Sequence, residues 1–229
     1  MQLSLSKQLI WLIVFSIAMG FLEGAVVVYL RMIYYPHGFN FPLTILDSRT
    51  GLVEFFREAA TIVMLAGVSI LGGKNKYQRW AFFLIAFAVW DLIYYVALKL
   101  ILDWPSSLLA WDILFLIPVP WVGPVLSPII VCFLMLLLAA IILEKDHKQK
   151  HQKFHWRELV FLFIGSFVII LSWTWDFIAY SGSIASTPHK SLDTFSTYVP
   201  TSFNWALFGV GAVMVSTAIA LYWKGKKFL

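Results

Sequence analysis

Residues 80–102 read WAFFLIAFAVWDLIYYVALKLIL, a run in which Asp91 and Lys99 are the only charged side chains. An α-helix rises about 1.5 Å per residue, so this run is long enough to cross a hydrocarbon core of roughly 30 Å. It is about twice as long as a strand of a membrane β-barrel. The run therefore predicts a transmembrane helix that carries polar groups at membrane depth.

Five further apolar runs of similar length occur along the chain. The 229 residues are 61% hydrophobic and 13% charged, whereas soluble domains are about 45–50% apolar and about 25% charged. This composition excludes an ordinary soluble domain and predicts an all-α, polytopic membrane helix bundle that forms one domain over residues 1–229. We predict six spans, at about residues 8–30, 51–73, 80–102, 123–143, 158–180 and 203–223.

The distribution of basic residues predicts the orientation of the bundle. Twelve lie in the termini or alternate loops and three in the remaining loops. Because short cytoplasmic loops are enriched in Lys and Arg, we expect both termini inside and contacts with anionic lipids there. The net charge of +5 then needs no nucleic-acid partner. The twelve are Lys7, Lys74, Lys76, Arg79, Lys145, Lys148, Lys150, Lys153, Arg157, Lys224, Lys226 and Lys227; the three are Arg31, Arg49 and Lys190.

The segment DWPSSLLAWDILFLIPVPWVG, residues 103–123, separates the third and fourth spans. Asp103 is a candidate helix cap, Pro105 suits a first helical turn, and two further prolines would end the helix. We predict a short helix along the outer membrane surface. With no recognisable targeting presequence, we expect a multi-pass protein of the plasma (inner) membrane.

Several ionisable side chains fall inside the predicted spans, all in the outer half or at the midplane. Such groups are costly in lipid and are functional candidates by default. Trp-Asp pairs also occur three times, at 90–91, 111–112 and 175–176, against about 0.3 expected by chance. The candidate ligand- or ion-binding residues are Glu23, Glu54, Arg57, Glu58, Asp91, Tyr95, Lys99, Asp112, Asp176 and Tyr180.

Helical spacing indicates which of these groups can meet. Glu54, Arg57 and Glu58 stand at i, i+3 and i+4, so Arg57 is expected to bridge both carboxylates. Asp91, Tyr95 and Lys99 stand at i, i+4 and i+8 and share one face. Glu23 lies beside a Gly20-x-x-x-Gly24 motif, which allows close helix approach. We therefore expect a polar cup that opens to the outside.

The charges in this cup are unbalanced. Five in-span carboxylates face only Arg57 and Lys99, so protons or a bound cation must compensate. Cys132 is the only cysteine and no histidine lies in a span, so we expect no haem, iron–sulfur cluster or cysteine-based zinc site. A divalent Mg²⁺, Mn²⁺ or Ca²⁺ held by Glu23, Glu58 and Asp91 remains a candidate.

Structural interpretations stand beside the functional ones. Arg57, with Glu54 and Glu58, is compatible with a purely structural role that holds helix two against its neighbours. Lys99 is compatible with a side chain that extends to water at the membrane surface. Asp176 is compatible with an interfacial hydrogen bond to Tyr180. We favour a protein that binds or transports a cation or small polar solute with proton coupling. The alternatives are a metal-dependent or acid–base enzyme acting on a lipid-phase substrate at the outer leaflet, and a non-catalytic subunit of a membrane complex; a homo-oligomer is compatible with each.

Overall fold

Six long helices and one β-hairpin make up the described part of the computed structural model, which covers residues 4–44, 46–117, 119–148, 153–184 and 197–225. All six helices are long and apolar enough to cross a membrane, which confirms the predicted number of spans and indicates a multi-pass membrane protein. The elements are α1 (Leu5–Tyr34), α2 (Ser48–Gly72), α3 (Lys76–Leu102), β1 (Trp111–Phe115), β2 (Trp121–Pro124), α4 (Leu126–His147), α5 (Trp156–Ile184) and α6 (Trp205–Lys224).

Short polar side chains begin three of the helices. The carboxylate of Asp47 accepts from the backbone N–H groups of Arg49 and Thr50 at the start of α2. The side chains of Asn75 and Asn204 do the same for α3 and α6. These caps satisfy backbone donors that have no partner inside the helix, so they fix where each helix starts.

The predicted surface helix after α3 is wrong: residues 103–110 form turns, and residues 111–115 and 121–124 form an antiparallel β-hairpin. Trp111 pairs with Pro124 and Asp112 with Gly123, and a bulge interrupts the ladder between Ile113 and Phe115. Asp103 does not cap a new helix; it ends α3 in the left-handed conformation, with φ 52°. Large apolar side chains in a short run that is bounded by prolines favour a strand, and this pattern outweighed the cap signal.

Helix α3 occupies the centre of the bundle and packs against α1, α2 and α4. At Gly20, an added Cβ would lie 2.5 Å from the backbone oxygen of Trp90, and at Gly24 it would lie 2.9 Å from the Cβ of Ala97. The Gly20-x-x-x-Gly24 motif therefore allows α1 to pack closely against α3. This packing places Glu23 of α1 near the polar residues of α3. Helices α5 and α6 form a second close pair.

The hairpin is anchored on the α5 side. The indole of Trp121 stacks on that of Trp173, with ring centroids 5.7 Å apart, and Trp173 Nε1 donates to Ser127 Oγ at 2.8 Å. Strand β1 faces the opposite way, toward the ends of α1, α2 and α3. The hairpin thus forms one wall of a space at the ends of these three helices.

Candidate functional site

Helices α1, α2 and α3 and strand β1 enclose two adjoining cavities at one end of the bundle. The deeper cavity is narrow, about 60 Å³, and the outer one is wider, about 350 Å³. Both are lined by Val27, Arg57, Glu58, Tyr94 and Ile113, so they form one continuous cleft. The deep cavity also contacts Glu23, Thr61, Trp90, Asp91 and Tyr95, and the outer one Arg31, Tyr34, Phe39, Leu43, Glu54 and Asp112.

Arg57 is neutralised by two carboxylates from different helices. It forms a close ion pair with Glu23 of α1 and a second one with Glu54, with 2.8 Å between Nη2 and Oε2. Thr61 Oγ1 donates to the other oxygen of Glu23 at 3.3 Å. The expected bridge from Arg57 to Glu58 is not formed, because adjacent helical residues point about 100° apart, and Glu23 takes that place.

Glu58 therefore lines both cavities without a basic partner. Its carboxylate accepts a hydrogen bond from the backbone N–H of Leu116, at 3.0 Å, at the end of β1. The side chain is buried, and it forms no ion pair with any described basic residue. One neutral donor does not neutralise the carboxylate, and Arg57 acts on it only from beyond ion-pair distance.

Asp91 has a similar environment on α3. Its Oδ2 accepts from the thiol of Cys132 on α4, at 3.2 Å, and the residue lines the deep cavity. Within the described part of the chain no Lys or Arg is paired with it. Buried beside it, the indole Nε1 of Trp90 has no hydrogen-bond acceptor among the described residues.

The outer cavity contains a second buried ion pair. Arg31 Nη2 lies 3.1 Å from Asp112 Oδ1, with both side chains buried. The guanidinium also lies over the rings of Trp104 and Phe39, at 3.7 and 4.4 Å. Burial raises the pKa of Asp112 to about 6, and Arg31 opposes this shift. Arg31 is thus paired with Asp112 through Nη2 and contacts two rings, while its buried Nη1 has no hydrogen-bond acceptor among the described residues.

Sequence reasoning missed Arg31, Tyr94 and Trp90 as site residues. The sequence predicts Arg31 to lie in an outer loop, whereas the structure places it in the last turn of α1. Its spacing from Glu23 is two i+4 steps through Val27, so the shared face was visible in the sequence. Its burial was not visible, because that depends on the loop carrying Phe39.

Asp47, the residue that precedes α2, links the ends of α1 and α2 outside the membrane-spanning segments. Asp47 Oδ2 accepts from the hydroxyls of Tyr34 at 2.8 Å and Thr50 at 2.5 Å, which ties the end of α1 to the start of α2. These hydrogen bonds, together with that from the backbone N–H of Thr50, lower the pKa of Asp47 to about 2. The carboxylate is therefore ionised throughout the neutral range.

Three predicted site residues lie elsewhere. Lys99 Nζ bonds the Asp103 carboxylate at 2.7 Å and the Pro105 carbonyl at 3.2 Å, and it does not reach Asp91. Asp176 accepts from Tyr198 at 2.8 Å, and Tyr180 packs against the ring of Tyr198. None of the three lines the cleft. The remaining seven candidates, Glu23, Glu54, Arg57, Glu58, Asp91, Tyr95 and Asp112, lie around it.

The Trp-Asp pairs of the two helices, at 90–91 and 175–176, occupy unlike environments. Trp90 is buried beside the cleft, whereas Trp175 is half exposed on the outside of α5. The next residue, Asp91, lines the cleft, while Asp176 bonds a tyrosine outside it. The motif therefore does not mark two equivalent sites.

In the described part of the chain the carboxylates are not arranged as a metal centre. Across the described residues there is no group of three or more His, Cys, Asp or Glu side chains placed to hold a metal ion. The predicted trio Glu23, Glu58 and Asp91 is instead divided among Arg57, the Leu116 N–H and the Cys132 thiol. A hard divalent ion needs several oxygens converging at one point, and this geometry does not supply them.

The comparisons with known proteins give no relative. No protein-family model matches the sequence, and no match was found among curated proteins or solved structures.

Proposed function

We propose that the protein binds a small amphipathic organic cation in this cleft and couples its binding to protons on Glu58 and Asp91, as a step of transport across the membrane. The observation that carries the proposal is that both arginines of the cleft already form ion pairs. Arg57 is paired with Glu23 and Glu54, and Arg31 with Asp112. Glu58 and Asp91 therefore retain a demand for positive charge.

Unpaired negative charges on Glu58 and Asp91 are costly in the interior of the bundle. Five acidic side chains and two arginines surround the cleft, which leaves three negative charges if all are ionised. An unpaired carboxylate in a medium of low dielectric constant is unfavourable by several kcal/mol, so it binds a proton or a cation. Since a proton and an ammonium group compete for the same oxygens, binding of one releases the other.

The shape of the cleft favours an organic cation over a metal ion. Trp90, Tyr94 and Tyr95 line the narrow end beside Asp91. Aromatic faces attract ammonium groups through cation–π interactions, which strengthen when the site is desolvated. The wider outer cavity is lined by Leu30, Phe39 and Leu43 and suits an apolar tail. An alkyl or aryl amine matches both ends.

The distribution of basic residues supports an outward-facing cleft. If both termini are cytoplasmic, the end of the bundle that carries the α1–α2 loop and the hairpin faces the outside. We propose that the solute enters from that side of a plasma membrane. The acid–base enzyme and the accessory subunit stay hypotheses, which a measurement of amine flux separates from a carrier.

Equilibrium binding of n-hexylammonium to the purified protein in nanodiscs tests the proposal. We expect saturable binding at neutral pH, with hexanol and hexanoate binding at least tenfold more weakly. Glu58→Gln and Asp91→Asn should each weaken hexylammonium binding about tenfold or more, since a charge-assisted hydrogen bond contributes about 1.5–3 kcal/mol. Asp176→Asn is the matched control, because Asp176 is an in-span carboxylate outside the cleft.

Two results would refute the proposal. One is equal affinity for hexylammonium and hexanol, which would show that only the apolar cavity binds. The other is unchanged affinity in a folded Glu58→Gln, Asp91→Asn double variant. Flux of the same amine into proteoliposomes that hold a pH gradient then separates a carrier from a receptor or subunit.

A further inference from the structure

A separate groove lies on the other half of α2 and α3, toward the turn that joins them. Its volume is about 370 Å³, and it shares no lining residue with the cleft. One wall consists of Ile62, Ala66 and Ile70 of α2. The other carries Lys76, Arg79 and Trp80 of α3. The groove is therefore apolar along its length and basic at one end.

The basic end has positive charge available for a ligand. Neither Lys76 nor Arg79 forms an ion pair with an acidic side chain of the described part. Arg79 Nε donates to the Gly73 carbonyl at 3.1 Å, which orients the guanidinium. Lys76 Nζ lies 5.3 Å from the ring centroid of Tyr77. Both side chains are exposed, so they are accessible to a headgroup.

The apolar wall has the length and position of a site for a lipid chain. From Ile62 to Ile70 the helix rises about 12 Å. The indole of Trp80 is 64% exposed beside the two basic residues. Trp is enriched at the boundary between headgroups and acyl chains, and Lys and Arg lie just beyond it. Charge and depth thus match a phosphate above an acyl chain.

We propose that this groove binds one anionic phospholipid, whose phosphate contacts Lys76 and Arg79 and whose acyl chain lies along Ile62, Ala66 and Ile70. A zwitterionic lipid offers the same chain but no net negative charge for the two basic groups. The bound lipid fills the space between the two helices that supply Arg57, Glu58 and Asp91 to the cleft. The site is independent of the solute that the cleft binds.

Native mass spectrometry of the detergent-purified protein tests this site, with phosphatidylglycerol and phosphatidylcholine of identical acyl chains. We expect phosphatidylglycerol to bind tighter. The variant Lys76→Gln, Arg79→Gln should lose roughly tenfold to thirtyfold in phosphatidylglycerol affinity. The control Lys7→Gln, Lys74→Gln removes the same charge from residues that do not line the groove, and it should change affinity by less than about threefold.

A second pair of variants tests the chain-binding wall. Ala66→Phe fills the groove and should weaken both lipids about tenfold. Gly67→Phe should not, because Gly67 does not line the groove, and an added Cβ there meets no atom within 4 Å. Glycerol phosphate should bind much more weakly than phosphatidylglycerol. Equal losses in the two charge variants, equal binding of the two lipids, or no effect of Ala66→Phe would each overturn the proposal.

Discussion

The carboxylate of Asp91 on α3 and the thiol of Cys132 on α4 lie within hydrogen-bond distance, with 3.2 Å between Oδ2 and Sγ. A thiol is a weak and neutral donor, so it orients the carboxylate without neutralising it. The same holds for Glu58, which accepts from a backbone N–H. Both contrast with Glu23 and Glu54, which share Arg57.

The thiol contact predicts unequal effects of two substitutions at residue 132. Cys132→Ser keeps a donor and should change stability by less than about 1 kcal/mol, whereas Cys132→Val leaves Asp91 without it and should cost about 1–3 kcal/mol. Thermal unfolding in detergent measures both. Equal stability of the two variants would mean that the contact does not support Asp91.

Loss of Arg57 should be among the most destabilising changes in the bundle. Arg57→Met leaves the buried Glu54 and the partly buried Glu23 without a cation, and loss of one partner of a buried ion pair typically costs about 3–5 kcal/mol. Adding Glu23→Gln to Arg57→Met should recover part of the lost stability, because it removes one unpaired negative charge. Arg49→Met, at an exposed position, serves as the control. Stability that is insensitive to Arg57→Met would contradict the ion-pair network.

The contact of α1 with α3 predicts a size limit at Gly20. In Gly20→Ala the new methyl group would lie 2.5 Å from the backbone oxygen of Trp90, which neither helix can relieve without moving apart. We expect a lowered unfolding temperature and weaker hexylammonium binding, since Glu23 moves with α1. Gly209→Ala is the control, because its added Cβ meets no atom within 4 Å. It should be neutral or slightly stabilising.

The cap of α2 predicts a dependence of stability on acid. The pKa of Asp47 is lowered to about 2 in the folded protein from an ordinary value of 3.8. Its stabilising contribution is therefore complete above pH 4 and is lost as the pH falls through 2. Asp47→Asn should unfold at a lower temperature than the wild type at pH 6, and the gap should shrink toward pH 2. A gap that is constant with pH would contradict this role.

Much of the architecture could be predicted from the sequence because hydrophobic length alone specifies a spanning helix. The hairpin could not, since Asp103 and Pro105 resemble a helix start locally and only packing of Trp121 on Trp173 shows the strand. Helical spacing was enough to group Glu54 with Arg57. Pairing between helices, such as Arg57 with Glu23 or Arg31 with Asp112, depends on tertiary contacts that one sequence does not show.

Missing information on tertiary contacts also explains why the sequence wrongly predicts Lys99 and Asp176 to line the cleft. Depth along a helix placed both near the membrane boundary, but depth carries no information on which neighbour each side chain meets. Lys99 contacts Asp103, which follows the end of α3. Asp176 contacts Tyr198, which precedes α6 in the sequence. Lys99 is half exposed and Asp176 accepts from a tyrosine outside the cleft, whereas Glu58 and Asp91 line the cleft without a basic partner.

The number of protons released per hexylammonium bound is the most direct measure of whether Glu58 and Asp91 are the uncompensated charges of the cleft. A pH-indicator dye in weakly buffered solution reports this number. We predict release of up to about one proton by the wild-type protein and the Asp176→Asn variant at neutral pH, and none by the Glu58→Gln, Asp91→Asn variant. Binding with no proton release at any pH between 5 and 8, or release that persists in the double variant, would contradict the proposed coupling.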